Sequence, residues 1–165
     1  MRSTDLDLAR LAARVGRHLS KSRRTVATAE SCTGGWIAKA LTDIAGSSQW
    51  FLEGLVTYSD PAKQRTLCVP RAVLKKHGAV SEATVRAMAG GALKRSRAQV
   101  AVAVTGIAGP GGAVPGKPVG TVWLGWAERR GGGIRVAVQL RQFRGDREAV
   151  RRKTVRAALQ GLLKV

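Results

Sequence analysis

The 165-residue sequence predicts an α/β protein, a three-layer α/β/α sandwich around a mixed, mostly parallel sheet of about five strands. Three observations lead there. Five short β-prone runs alternate with helical stretches, the order that puts helices on both faces of a sheet. The run "QVAVAVTGI" (99–107) is apolar throughout its centre, as a strand covered on both faces must be. Two alternating runs, "VGTVWLGWAE" and "IRVAVQLRQF", flank "RRGGG" and read as a hairpin, so part of the sheet is antiparallel.

Taken in order, the chain opens with apolar residues at 8, 11, 12, 15 and 19, the stripe of an amphipathic helix over 6–19. A β-prone run at 24–29 follows, then a helix over 34–44 that "AGSS" stops. The mixture of aromatic and β-branched residues in "WFLEGLVTYS" predicts a strand over 52–58. "DPAKQRTL" starts with an Asp–Pro helix signal, and Pro70 begins a further short helix to His77. Ser81 and Glu82 open a helix that runs to about Arg97. After the 99–107 strand, "GPGGAVPGKP" (109–118) is a loop, the hairpin follows, and a last helix spans 145–163. No internal repeat or second domain is visible, so residues 1–165 read as one domain.

Composition narrows the function classes. Hydrophobic residues make up 44% of the chain, enough for a packed core and against disorder. No apolar run approaches the roughly 18 residues of a membrane span, and the first 24 residues lack the apolar stretch of a signal peptide. A cytoplasmic protein without membrane partners is expected. Cys32 and Cys68 offer neither a metal-binding spacing nor a disulfide framework. The net charge of +19 raises nucleic-acid binding. In the sequence, however, the arginines are scattered and aromatic stacking platforms are lacking. Nucleic acid is therefore not expected, and the basic surface is read as favouring small anionic substrates.

Ligands of α/β sheets collect where strands end and helices begin. Three polar corners follow β-like runs: "ESCTGG" (30–35), "YSDPAK" (58–63) and "TGIAGPGG" (105–112). If these ends share one edge, Ser31, Tyr58, Lys63 and Thr105 converge. Ser31 is a candidate nucleophile, with the two following glycines allowing close backbone approach and amides of the turn receiving an oxyanion. Alternatively, Ser31 or Thr33 merely caps the helix that follows. His18 and His77 are poorly placed for a Ser–His–Asp triad, which leaves Lys63 as base or as an ordinary solvated lysine. Tyr58 either relays the proton, holds the substrate or is a plain strand tyrosine. Cys32 is the rival nucleophile, or a small packed side chain.

Gly111 to Lys117 imitates a phosphate-binding loop. Pro118 stands where a magnesium-ligating Ser or Thr is needed, and a strand follows where a helix is required, so an ATPase is rejected. The segment reads instead as a loop closing over ligand, rooted at Thr105 and Gly106. In "FRGDREAVRRK", Arg147 and Arg151 lie one turn apart at a helix start, either clamping a phosphate or solvated beside an N-cap Asp146.

Six segments occur in one order: "AESCTGG", "YSDPAKQRTLCV", "GAVSEATVRAMAGGA", "VAVTGIAGPGG", "KPVGTVWLG" and "FRGDREAVR". Together they resemble the C-terminal domain of the competence-damage protein CinA, over Leu8 to the C-terminus. Free-standing members of that family are nicotinamide-nucleotide amidohydrolases. The resemblance implies deamidation of nicotinamide mononucleotide, without cofactor or metal, by a homo-oligomer that uses lysine where other serine amidases use histidine.

By position the resemblance makes Ser31 the nucleophile, Lys63 its base and Tyr58 their neighbour. Thr105 and Gly106 line the pocket, and Arg147 and Arg151 approach the 5′-phosphate. At the substrate corner Thr33, Gly34 and Gly35 are expected to shape the helix entry and the oxyanion site, and Glu30 to bond the corner's backbone. Ala113 interrupts the family's glycine run, which leaves the loop's conformation open. Activities of the N-terminal domain of longer members are not expected here. Two alternatives stand beside this reading: a nucleotide- or nucleic-acid-binding module without turnover, and an amidase for another anionic amide.

Overall fold

The structure, a computed structural model, describes residues 5–165. Six α-helices and five strands follow one another as α1 (Asp5–Lys21), β1 (Val26–Glu30), α2 (Trp36–Thr42), β2 (Phe51–Val56), α3 (Asp60–Leu67), α4 (Arg71–His77), α5 (Glu82–Ser96), β3 (Val100–Gly106), β4 (Thr121–Arg130), β5 (Gly133–Gln142) and α6 (Arg147–Leu162), with a short 3-10 turn at Ser47–Gln49 before β2. The strands form one sheet in the order β2-β1-β3-β4-β5. The β1–β2 and β1–β3 pairings are parallel, whereas β3–β4 and β4–β5 are antiparallel. Four strands therefore share one direction, with β4 reversed between β3 and β5. This is the mixed three-layer architecture that the sequence predicts.

The period-2 pattern of β3 explains the two layers. Val100, Val102 and Val104 face a core built with Leu11, Val15, Ile37, Val155 and Leu159 of α1, α2 and α6. Ala101 and Ala103 face the opposite core, with Met88, Ala89 and Ala92 of α5 and Leu67 of α3. Branched side chains keep the first layer at full distance, while alanines let α5 lie close. Gly91 carries the closeness further, since a Cβ there would stand 2.1 Å from the Leu67 carbonyl oxygen. The contact seats α5 directly against α3, the helix that carries Lys63.

Helix starts follow local chemistry. Ser59, Ser81 and Asp146 each accept an amide hydrogen bond at the first turn of α3, α5 and α6. Because β1 and β3 run parallel, Glu30 and Val104 end at one level of the sheet. The corner after β1, the start of α3 and the segment after β3 thus gather at the same edge. No helix among the described residues is long and apolar enough to cross a membrane.

Candidate active site

At that edge lies a cavity of about 200 Å³ lined by Ser31, Lys63, Thr105, Gly106, Tyr58 and Arg147, with Ala79, Val80 and Ala108 as apolar walls and Cys32 at its base. The Lys63 Nζ stands 3.3 Å from Ser31 Oγ. It also donates to the carbonyl oxygens of Thr57 at 3.1 Å and Tyr58 at 3.0 Å. Lys63 is buried, with 1% of its surface exposed, and Ser31 nearly so. α3 imposes this geometry. Ser59 caps it, and Lys63 sits one turn along with its amide bonded to the Ser59 carbonyl.

Burial lowers the pKa of Lys63 from its ordinary value, and the negative charge of Asp60 only partly opposes this. A neutral amine has two N–H donors and one lone pair. Three oxygens surround Nζ, those of Thr57, Tyr58 and Ser31; an ammonium donates to all three, and a neutral amine donates to the two carbonyls and turns its lone pair to the Ser31 hydroxyl. Burial has the opposite consequence for the neighbouring thiol, pushing Cys32 up to about 12. A thiol held that far from its thiolate is a poor nucleophile, so Cys32 is a packed side chain.

The corner itself keeps one part of the sequence expectation, a Glu30 bonded to its backbone, and departs from the rest. Glu30, expected at the substrate corner and bonded to its backbone, is fully buried. Its carboxylate accepts the amides of Gly35 at 3.1 Å, Ile37 at 3.0 Å and Ala38 at 2.8 Å. It therefore caps α2 from the preceding strand, and neither Ser31 nor Thr33 has that task. Thr33 is also fully buried, and its hydroxyl has no partner among the described residues. The Gly34 amide donates to the Ser31 carbonyl at 3.0 Å, so the Gly34 and Gly35 amides are both committed within the turn. What the glycines supply is backbone shape, with φ of +62° and +94°.

Glu30→Ala removes one acceptor from three amides at once. Leaving buried donors unpaired costs about 1–3 kcal/mol each. A fall in melting temperature on the order of 10 °C is expected by calorimetry, with Glu30→Gln falling between the two.

The two arginines separate. Arg147 lines the cavity rim, where its guanidinium donates to the Gly109 carbonyl at 2.7 Å and to the Tyr58 hydroxyl at 3.2 Å. Arg151, expected at the phosphate, instead donates to the Cys32 carbonyl at 3.1 Å and the Thr33 carbonyl at 2.8 Å. It also stacks over Trp36 at 5.4 Å, so its charge is spent bracing the turn that follows Ser31. Tyr58, expected beside the proton path, meets Lys63 through its main-chain oxygen, and its hydroxyl points to Arg147. The Thr105 hydroxyl donates to the Ala79 carbonyl at 2.8 Å and so fixes one wall. A Cβ on Gly106 would meet the Thr121 oxygen at 2.7 Å.

The Thr57 carbonyl and the walls Ala79 and Val80 were not foreseen. A carbonyl carries no side-chain signal, and both alanine and valine read as ordinary apolar positions. The segment 111–117 forms a small loop closed by the Val114–Lys117 bridge, with Lys117 donating to the His77 carbonyl at 3.1 Å. Among the described residues no cluster of side chains is suited to hold a metal ion.

Residues 8–165 match the CinA C-terminal domain. The chain is 56% identical over 155 residues to nicotinamide-nucleotide amidohydrolase PncC of Pseudomonas putida, covering 94% of each protein. It is 54% identical over 159 residues to the protein of the same name from Escherichia coli K12, covering 96% of this chain and 94% of that one. Among solved structures, the competence damage-inducible protein A of Klebsiella pneumoniae superposes with a TM-score of 0.90 at 42% identity, covering 95% of both chains. The competence/damage inducible protein CihA of Agrobacterium tumefaciens gives 0.89 at 46% identity, covering 99% of this chain and 97% of that one.

Proposed function

Because the chain belongs to the CinA C-terminal domain family, we propose that it hydrolyses the carboxamide of nicotinamide mononucleotide to nicotinate mononucleotide and ammonia. The relatives named as nicotinamide-nucleotide amidohydrolases support the reaction. The observation that carries the mechanism is the buried Lys63 amine 3.3 Å from the Ser31 hydroxyl.

In this mechanism Ser31 Oγ attacks the carboxamide carbon while its proton passes to the neutral Lys63 amine. The carbonyl oxygen becomes an oxyanion. The Ser31 amide is bonded to Val104, and the Gly34 and Gly35 amides are committed as described. The Cys32 and Thr33 amides, which no backbone carbonyl among the described residues accepts, are left to receive it. The Lys63 ammonium then protonates the departing nitrogen, which leaves as ammonia, and an ester joins Ser31 to the nicotinoyl group. Water, deprotonated by Lys63, attacks the ester and releases the carboxylate while Ser31 regains its proton. Apolar Ala79, Val80 and Ala108 exclude bulk water from the ring, which strengthens each charge interaction inside.

Arg147 with Tyr58 at the rim receives the 5′-phosphate. Arg147→Ala is expected to raise KM about tenfold or more with a smaller change in kcat, because the contact is made equally before and during the chemical step. Steady-state kinetics on nicotinamide mononucleotide check this. The same reading carries a cytoplasmic, homo-oligomeric enzyme, for which the open edge of β2, with Val56 54% exposed, offers a surface.

An ammonia-release assay over a panel of amide-bearing nucleotides, with and without EDTA, tests the proposal. Metal-independent turnover of nicotinamide mononucleotide is the expected result. Turnover of a different anionic amide alone would move the substrate, and no turnover of any would remove the enzyme reading.

A further inference from the structure

The end of the molecule opposite the cavity gathers cations that lie far apart in sequence. The register aligns Val26, Val100 and Glu128 side by side. The Thr25 amide donates to Gln99 Oε1 at 2.9 Å and the Arg129 amide to the Gln99 carbonyl at 3.0 Å, which stitches three connections together. These segments, 21–24, 94–97 and 128–135, hold nine Lys or Arg residues against one acid, Glu128. Glu128 faces three of them, with Arg24 at 3.3 Å, Arg135 at 3.7 Å and Arg130 at 3.8 Å, and Glu53 of β2 pairs with a fourth, Arg95, at 3.3 Å. Arg23, Arg97 and Arg130 are exposed.

Backbone conformation gives a second, independent sign. Arg23 and Arg97 follow the C-termini of α1 and α5 with φ of +52° and +59°. Glycine or asparagine is the ordinary choice there, since a Cβ is strained in the left-handed region. Arginine stands at both places, so the charge is present there at a cost in local strain. Helix dipoles do not account for them, because Lys21 and the Lys94–Arg95 pair already occupy the last turns.

We propose that this end is a docking surface for the phosphodiester backbone of duplex nucleic acid, bound without sequence preference. Exposed guanidinium groups with few carboxylates complement closely spaced phosphates. The three segments contain no Trp, Tyr or Phe, so base stacking with single strands has no platform, which favours a duplex. None of the exposed large apolar side chains falls in them either, and a membrane anchor needs such a second signal beside a basic patch.

The test is fluorescence anisotropy of the full chain with a labelled random-sequence DNA duplex across a salt series. Binding with Kd of roughly 10⁻⁶–10⁻⁴ M and a steep salt slope is expected. The triple variant Arg23→Gln, Arg97→Gln, Arg130→Gln should weaken binding at least about tenfold and lower the salt slope by roughly 2–3. A control removing equal charge elsewhere, Arg71→Gln, Lys75→Gln, Lys76→Gln, should change affinity less than about threefold.

Arg23→Gly with Arg97→Gly guards against misfolding as the explanation. It should keep or raise the melting temperature while weakening duplex binding. Equal losses from the two triple variants, or unchanged binding by the first, would overturn the proposal. So would sedimentation with phosphatidylserine vesicles that depends on Arg23, Arg97 and Arg130 without duplex binding.

Discussion

Ser31→Ala is expected to lower ammonia release from nicotinamide mononucleotide by about 10³-fold or more, while the urea midpoint stays close to that of the parent protein. The reason for the large kinetic effect is that, in the proposed mechanism, nucleophile and base act as one unit. Removing either member of such a unit costs up to roughly 10⁶ in kcat. The small effect on stability follows from the geometry. The Ser31 hydroxyl meets Lys63 Nζ at 3.3 Å, and Lys63 keeps two carbonyl partners without it.

Cys32→Ala in the same assay provides the contrast, with turnover retained, because a thiol pushed up to about 12 is not the attacking group. Near-parental ammonia release by Ser31→Ala would sink the assignment of the nucleophile.

Lys63→Met carries the second large effect. Methionine approximates the volume of the buried stem but has no lone pair to take the Ser31 proton, so turnover is again expected to fall by about 10³-fold or more. A pH profile distinguishes a lost base from a lost fold. The folded-state pKa of Lys63 lies below 10.5, burial being the main cause. In the proposed mechanism the active form is the neutral amine, so kcat/KM of the parent protein should rise with pH through that lowered pKa and level off above it. A profile without an ascending limb in that range would count against Lys63 as base.

The same shift has a consequence for stability. As pH falls below 10.5 the unfolded chain takes up the proton before the folded one does. Stability contributed by the neutral buried amine is therefore lost as pH falls through this window and regained as pH rises. Lys63→Met should lack this dependence, which denaturant midpoints at several pH values would register.

Much of the fold was legible in the residues. The alternation of valine and alanine in β3 encodes two covered faces, and the structure assigns the valines to one core and the alanines to the other. Ser81 and Asp146 mark helix starts by a hydrogen bond three residues ahead, a purely local interaction. The candidate site was legible in part, since Ser31, Lys63, Thr105 and Arg147 do line one cavity.

Glu30 and Arg151 show where local reading stops. Glu30 is a strand residue whose carboxylate reaches amides up to eight positions away. Arg151 braces carbonyls 118 and 119 positions distant. Nothing in the spacing of either residue distinguishes such a brace from a ligand contact.

Sequence alone determined the order of elements, the layered class and the family, because periodicity, caps and ordered motifs depend on neighbours along the chain. Tertiary structure decided which polar groups meet in the cavity and which hold the corner. Ser31 and Lys63 are 32 positions apart, and only the folded sheet edge removes water from both. Desolvation is what turns an ordinary lysine toward a base, and it has no local signature. The arginines follow the same logic: dispersed in the chain, they become a concentrated charge only once β1, β3 and β4 bring their connections to one end.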